Sequence, residues 1–347
     1  TKVTAEIIEA AGKMKVVGRA GSGLDTVDLP AASKKGIVVM NTPGGNTITT
    51  AEHAIAMMLA LSRKIPQATA SMKSGKWDKK KFMGAEICNK TLGVVGIGLV
   101  GSVVADRANG LKMNVIAFDP YLSSERAEQI GVELVSMDEL LKRSDYITIH
   151  VPKTNDTLNL IDKECFAKMK EGVLLVNCAR GGIVNENDLY DAIQSKKVAG
   201  AALDVFEKEP PDADNPLVGC DELICTPHLG ASTEEAQEKV AVAVAEQMVD
   251  YLLNGTIRNA ANVPSVDSDV LAKLQPYLNL AERLGNFQGQ VVEGGLEEVS
   301  VEYSGEIANL KTDPITVSLL KGLLFPILQE DVNYVNAPLI AKDRGIK

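Results

Sequence analysis

Apolar positions along the chain follow two rhythms. Between about residues 90 and 230, short runs that are apolar throughout alternate with helical stretches; the runs fall at 92–96, 114–119, 146–152, 173–178, 199–206 and 222–227. Strands that are apolar on both faces and separated by helices predict a parallel sheet covered on each side. Six in succession predict an α/β protein with a doubly wound, parallel-sheet dinucleotide-binding domain. Ahead of it, 15–18 and 37–40 read as strands of an incomplete α/β lobe. Ile48, Ile55, Met58 and Leu59 recur at helical spacing, which predicts a helix over about 48–61. A second long helix is predicted to start at Ser232, with Glu235 three residues on as in a capping box, and to stop at Asn254-Gly255. The polar stretch 259–268, with Pro264, marks a boundary. Beyond it the pattern predicts helix 270–284, strand 298–303 and helix 316–329. The domain reading is therefore 1–43 with 231–258, then 44–230, then 259–347.

Composition narrows the class. A chain of 347 residues accommodates two or three domains, and 45% hydrophobic with 24% charged residues is ordinary for a globular protein. Aromatics are only 4%, so the core is built from aliphatic side chains and Met. The net charge of −10 argues against nucleic acid or an anionic membrane as partner, because both reward basic surfaces. No apolar stretch approaches the roughly 18 residues that span a bilayer. The nearest, 315–328, is broken by Lys321, Gly322 and Pro326. Cys88, Cys165, Cys178, Cys220 and Cys225 form no CxxC pair and read as reduced thiols of a cytoplasmic protein. The N-x-T triplets at Asn89, Asn155 and Asn254 read as chance, and no metal is expected. The chain opens at Thr1 without a methionine and reads as a fragment.

The first chemical signal is Gly96-Ile97-Gly98-Leu99-Val100-Gly101, a G-x-G-x-x-G placed between a predicted strand and a helix. Gly96 permits the tight turn, Gly98 lets a pyrophosphate approach the backbone, and Gly101 lets helix and strand pack closely. The helix start then offers free N–H groups to phosphate. Asp119 ends the next strand, 18 residues past Gly101, where a carboxylate binds the adenosine ribose hydroxyls. Pro120 and Tyr121 follow, with no arginine for a 2′-phosphate, which favours NAD over NADP.

A second signal lies late in the fold. Three successive strands end in polar segments carrying Arg180, Glu209 and His228. Ligands of open α/β sheets bind beyond the carboxyl ends of the strands, so these residues are expected to converge. Hydride transfer from C2 of a 2-hydroxy acid needs a base near neutrality for the hydroxyl proton. His228 fits that task, Glu209 fits orienting it and raising its pKa, and Arg180 fits a bidentate grip on a carboxylate. The bland alternatives are a core histidine, a solvated loop carboxylate and a surface charge at a helix start. His53 reads as a plain helix residue and His150 as a strand-end residue. Lys76, Lys79, Lys80 and Lys81 read either as a solvated face or, in a dimer, as reaching the partner's active site to attract an anionic substrate.

On these motifs the chain resembles the D-isomer-specific 2-hydroxyacid dehydrogenase family, over nearly its whole length. The most specific stretches are 16–25, 66–73, 177–184 and 227–233. Within the family, the likeness is greatest to the animal-type members that oxidise D-3-phosphoglycerate to 3-phosphohydroxypyruvate in serine biosynthesis. The resemblance implies catalytic roles for Arg180, Glu209 and His228. It implies a cofactor site drawn from Ser22, Gly96, Gly98, Leu99, Val100, Gly101, Asp119, Val151, Cys178, Ala179, Arg180, Asp204, His228, Gly230 and Ala231, with Asp204 on the nicotinamide side. It implies substrate contacts from Arg19, Ala20, Gly21, Ser22, Gly23 and Asn46. Leu99 stands where relatives often hold an arginine, and Val151 where a hydroxyl residue is common. The remainder of a flavodoxin-like substrate lobe is expected before Thr1, and the rest of a C-terminal α/β intervening domain after Lys347. A homodimer or tetramer through the dinucleotide domain is expected on the same basis. The alternatives are a reductase of glyoxylate, hydroxypyruvate or another 2-keto acid, and an NAD-sensing scaffold of the corepressor kind.

Overall fold

A computed structural model describes residues 2–264, 268–292, 294–328 and 332–347. It divides into two compact units, Asn46–Ala236 and Thr1–Gly45 with Gln237–Lys347. Among the described residues there are nine strands. β1 (Val16–Gly18) and β2 (Val38–Met40) belong to the two-segment unit. β3 (Thr91–Val95), β4 (Asn114–Phe118), β5 (Glu133–Leu134), β6 (Tyr146–Ile149), β7 (Val173–Asn177), β8 (Val198–Leu203) and β9 (Leu223–Cys225) belong to the other.

Strands β3 to β9 form one parallel sheet in the order β5-β4-β3-β6-β7-β8-β9. Both faces are buried because alternate side chains feed two cores. Val95, Ile147, Ile149, Leu175 and Leu203 enter one. Leu92, Val94, Tyr146, Val176 and Ala202 enter the other. This is the doubly wound architecture that the apolar runs predict. The runs are longer than the strands, since β6, β8 and β9 end at Ile149, Leu203 and Cys225 while the chain beyond still carries apolar residues. The two-residue β5 is too short to display a period, and the sequence reading lacks it. The helix expected over 48–61 runs Thr47–Arg63, burying Ala51, Ala54, Met57, Met58 and Leu61 along one stripe. It stops where Lys64 turns left-handed, and a separate helix, Ile65–Lys73, follows with no buried residue.

In the two-segment unit, β1 and β2 pair in parallel over Ile8, Val17, Ala32, Ile37 and Val39. The long helix is Glu234–Asn254; the amide of Ala236, in its first turn, is capped by Thr233 Oγ1 at 3.2 Å, so the cap lies one residue after Ser232. Gly255 at φ 73 follows its end as expected. The polar stretch after 258 is bonded along the edge of β2. Ala261 N donates to Val39 O, and Asn262 exchanges bonds with Val39 N and Ile37 O. Residues 265–267 of that stretch lie outside the described residues.

The helix expected over 270–284 is Ser268–Val291, and that over 316–329 is Asp313–Leu328, with residue 329 outside the described residues. They pack backbone to backbone. A Cβ on Gly285 would stand 2.1 Å from Leu319 O, and one on Gly322 would stand 2.0 Å from Glu282 O. Residues 298–303 are not a strand: the amide of Val299 bonds to Lys347 O and the amide of Lys347 bonds to Glu297 O, a single partner residue rather than a ladder. Among the described residues, no helix is long and apolar enough to cross a membrane.

Candidate functional site

The strand order reverses at β3, whose neighbours are β4 and β6. Gly96 to Gly101 emerges at that switch point, where the loops beyond the two strands part and leave a crevice. Gly96 is left-handed at φ 92, and a Cβ there would meet Val151 Cγ1 at 2.7 Å and His150 O at 2.9 Å. A Cβ on Gly101 would stand 2.0 Å from Gly96 O, so the turn closes only with glycine at both places. Around Gly98 nothing lies within 4 Å of that position, and the helix Leu99–Gly110 begins directly after it. The loop is thus a cradle open on the side where a pyrophosphate would lie. Asp119 reaches back to it: Oδ2 accepts from Ile97 N at 2.9 Å and Oδ1 from Tyr121 N at 2.9 Å. Leu99, 64% exposed, starts the helix with its side chain in solvent. Cys178 is buried in the same core cluster as Ile97 of the loop, and burial pushes its thiol well up. These residues fit a dinucleotide.

Beside the loop, burial lowers the pKa of His150 to about 4, which keeps the ring neutral. Its Nε2 pairs with Thr148 Oγ1 at 2.9 Å.

At the other side of the sheet the register is level: Asn177 faces Leu203, and Leu203 faces Cys225. The segments after β7, β8 and β9 therefore leave the sheet side by side. Buried Asn177 braces the first of them, donating to Arg180 O at 3.0 Å and accepting from Ala179 N at 3.0 Å. Arg180 Nη1 donates to Ala179 O at 2.7 Å. Gly181 lies against the second segment so closely that a Cβ would stand 1.7 Å from Phe206 O. In that segment Glu209 Oε1 accepts from Phe206 N at 3.2 Å. Its Oε2 meets His228 Nδ1 at 2.7 Å, with both side chains partly exposed. His228 has φ 56, a left-handed backbone uncommon for a residue with a Cβ.

Asp204, 1% exposed, holds that turn in place. Its carboxylate accepts from Leu229 N and Gly230 N, each at 2.7 Å, and from Thr226 Oγ1 at 2.5 Å. Burial pushes its pKa up, but hydrogen bonds from His53, Thr226, Leu229 and Gly230 outweigh it and hold the carboxyl below its usual value. His53 Nε2 stands 3.2 Å from Asp204 Oδ1 and 3.1 Å from Thr226 Oγ1. It is therefore part of this network and not a plain helix residue, as the sequence suggested. Neither helical spacing nor a motif flags it, because its partners lie far along the chain, Thr226 being 173 residues away.

The residues expected to bind substrate belong to different units. Arg19 to Gly23 lies in the two-segment unit, in a turn where Gly21 N donates to Thr42 Oγ1 at 2.8 Å, Asn41 Nδ2 to Ser22 O at 2.7 Å and Arg19 Nη1 to Ala20 O at 2.6 Å. Asn46 precedes the helix that opens the other unit. Gly230 and Ala231 lie on the turn after His228. Lys76, Lys79, Lys80 and Lys81 are all exposed.

A parallel sheet with this strand order and a glycine cradle at its switch point mark a dinucleotide-binding domain, with a His–Glu pair beyond its last strands. Residues 55–230 match the D-isomer specific 2-hydroxyacid dehydrogenase, NAD binding domain, and the chain belongs to that family. Residues 273–347 match the D-3-phosphoglycerate dehydrogenase intervening domain. A D-3-phosphoglycerate dehydrogenase from Archaeoglobus fulgidus is 54% identical over all of this chain, and one from Methanocaldococcus jannaschii is 51% identical. The chain spans 66% of the length of each. The structure of an NAD-dependent formate dehydrogenase from Staphylococcus aureus in complex with NAD is similar at a TM-score of 0.70 and 34% identity, covering 76% of this chain and 80% of that one.

Proposed function

We propose that the chain oxidises D-3-phosphoglycerate to 3-phosphohydroxypyruvate with NAD, the first step of phosphorylated serine biosynthesis. The observation that carries this reading is the 2.7 Å pairing of His228 Nδ1 with Glu209 Oε2, placed beyond strand ends of a dinucleotide-binding sheet. The names of the archaeal relatives support the choice of substrate.

When bound, NAD supplies the nicotinamide that accepts the hydride from C2. Glu209 engages Nδ1 of His228, so Nε2 is the nitrogen left to take the C2 hydroxyl proton. Holding Nδ1–H on a carboxylate fixes the tautomer and the orientation of the ring, and general base catalysis by a side chain so positioned is worth roughly 10²–10⁴ in rate. In the reverse direction the same nitrogen returns the proton. Arg180 offers its fork to the substrate carboxylate and to the developing C2 carbonyl. The roles of Arg19 to Gly23 and Asn46 as anion contacts rest on the family resemblance, as does the affinity to animal-type members. So do a dimer or tetramer through the dinucleotide domain and a cytoplasmic location, the latter in keeping with five free cysteines.

The test follows NADH formation with D-3-phosphoglycerate and with unphosphorylated 2-hydroxy acids, for the wild type and for His228→Ala. Turnover that requires the phosphate and falls by at least about a hundredfold in the variant supports the reading. Faster turnover of glyoxylate or hydroxypyruvate points to a reductase. No turnover of any acid, with NAD still bound, points to a sensing scaffold.

A further inference from the structure

The His53 side chain is unaccounted for by the proton-transfer step, yet it sits in a buried network directly behind it. The helix Thr47–Arg63 carries His53 to the ends of β8 and β9, where Nε2 lies 3.1 Å from Thr226 Oγ1 and 3.2 Å from Asp204 Oδ1. Proton counting fixes the direction of these bonds. A threonine hydroxyl has one proton, and the 2.5 Å contact shows Thr226 giving it to Asp204 Oδ1. Were Nε2 of His53 unprotonated, its lone pair would face both a carboxylate oxygen and a hydroxyl oxygen with no proton between them. Nε2 therefore carries hydrogen and donates, shared between Thr226 and Asp204.

The same carboxylate also holds the turn that carries His228. Asp204 accepts from the amides of Leu229 and Gly230, the two residues after His228, and Asp204 O accepts from the amide of His228 at 2.9 Å. His228 itself is held left-handed, a conformation that persists only when its surroundings over-determine it. We propose that His53 is a positioning residue: by donating to Asp204 and Thr226 it locks the 228–230 turn and so holds the His228 ring against Glu209. The proposal rests on the reading of His228 as the base. Without the ring's N–H, Asp204 Oδ1 loses one of the donors that satisfy a buried charge, and the carboxylate is free to turn away from the two amides.

The test compares three variants of this chain. His53→Gln keeps a donor at the Nε2 position, His53→Asn is too short to reach, and His53→Leu has no donor. Two readouts are taken: hydrogen exchange at the Leu229 and Gly230 amides without ligand, and kcat and KM for D-3-phosphoglycerate with NAD. In His53→Leu and His53→Asn the two amides exchange about tenfold or more faster and kcat falls about tenfold to a hundredfold, with KM for the acid little changed. His53→Gln stays within about threefold of wild type on both readouts, a rescue that a merely space-filling ring would not permit. Wild-type exchange in both His53→Leu and His53→Asn overturns the proposal, and so does a His53→Gln variant as impaired as His53→Leu. Exchange is measured on the free protein, so a wild type that turns over no hydroxy acid sinks the oxidation reading while the exchange result still decides the role of His53.

Discussion

The Arg180 and Glu209 segments are fitted to each other through a glycine, and adding one methyl group tests how closely. In Gly181→Ala the new Cβ would stand 1.7 Å from Phe206 O, 2.0 Å from Phe206 C and 2.6 Å from Glu207 N. All three are backbone atoms, so no side chain can rotate aside. Ordinary contact requires the two segments to separate by about 1.5 Å. One of them leads into Glu209, which holds His228, and the other begins with Arg180. A displacement of about 1 Å in a positioned group costs on the order of a hundredfold in rate. The overpacking also costs about 1–3 kcal/mol of stability. The assay is kcat/KM for D-3-phosphoglycerate beside the melting temperature, with Gly110→Ala as control, since nothing lies within 4 Å of a Cβ there. The expected result is a folded Gly181→Ala protein about a hundredfold slower and an unchanged control. Activity within about threefold of wild type at full stability would refute the claim that these two segments are set by backbone contact.

Other outcomes follow from the same geometry. Gly101→Ala places a Cβ 2.0 Å from Gly96 O, so NADH affinity by fluorescence titration should fall at least about tenfold while Gly98→Ala, in open space, disturbs the fold little. His150 titrates near 4 in the folded chain against 6.5 for the ordinary ring. The unfolded chain therefore binds the proton first as pH falls: the stability is fully present above 6.5, declines between 6.5 and 4, and is down by about 2 kcal/mol at pH 5. Urea unfolding at pH 7 and pH 5 measures this, and in His150→Gln the decline should shrink by that amount. In the two-segment unit, Glu282 accepts from Lys321 Nζ at 2.7 Å and from Tyr334 Oη at 2.6 Å. Glu282→Leu leaves both donors without it and should cost about 1–3 kcal/mol in chemical denaturation, without altering kcat.

Local rules carried the cofactor half of this protein into the sequence. The glycine spacing, the strand before it and Asp119 after the next strand are governed by turn geometry and the βα unit, which act over some twenty residues. Helix ends were legible for the same reason, although Thr233 rather than Ser232 caps the long helix, because a hydroxyl at either place reads alike. Arg180, Glu209 and His228 could be marked as strand-end residues. That Glu209 meets His228, and that the Arg180 segment lies against the Glu209 segment, depends on β7, β8 and β9 being neighbours in level register, which is a property of the folded sheet. The glycines at 285 and 322 give no local signal, since what they accommodate is another helix's backbone. His53 shows the limit most clearly. Its partner Thr226 lies 173 residues away, and only the packing of one helix across the ends of two strands brings the ring to Asp204. A hydrogen bond between distant segments leaves no periodicity and no motif, so tertiary structure alone decides it.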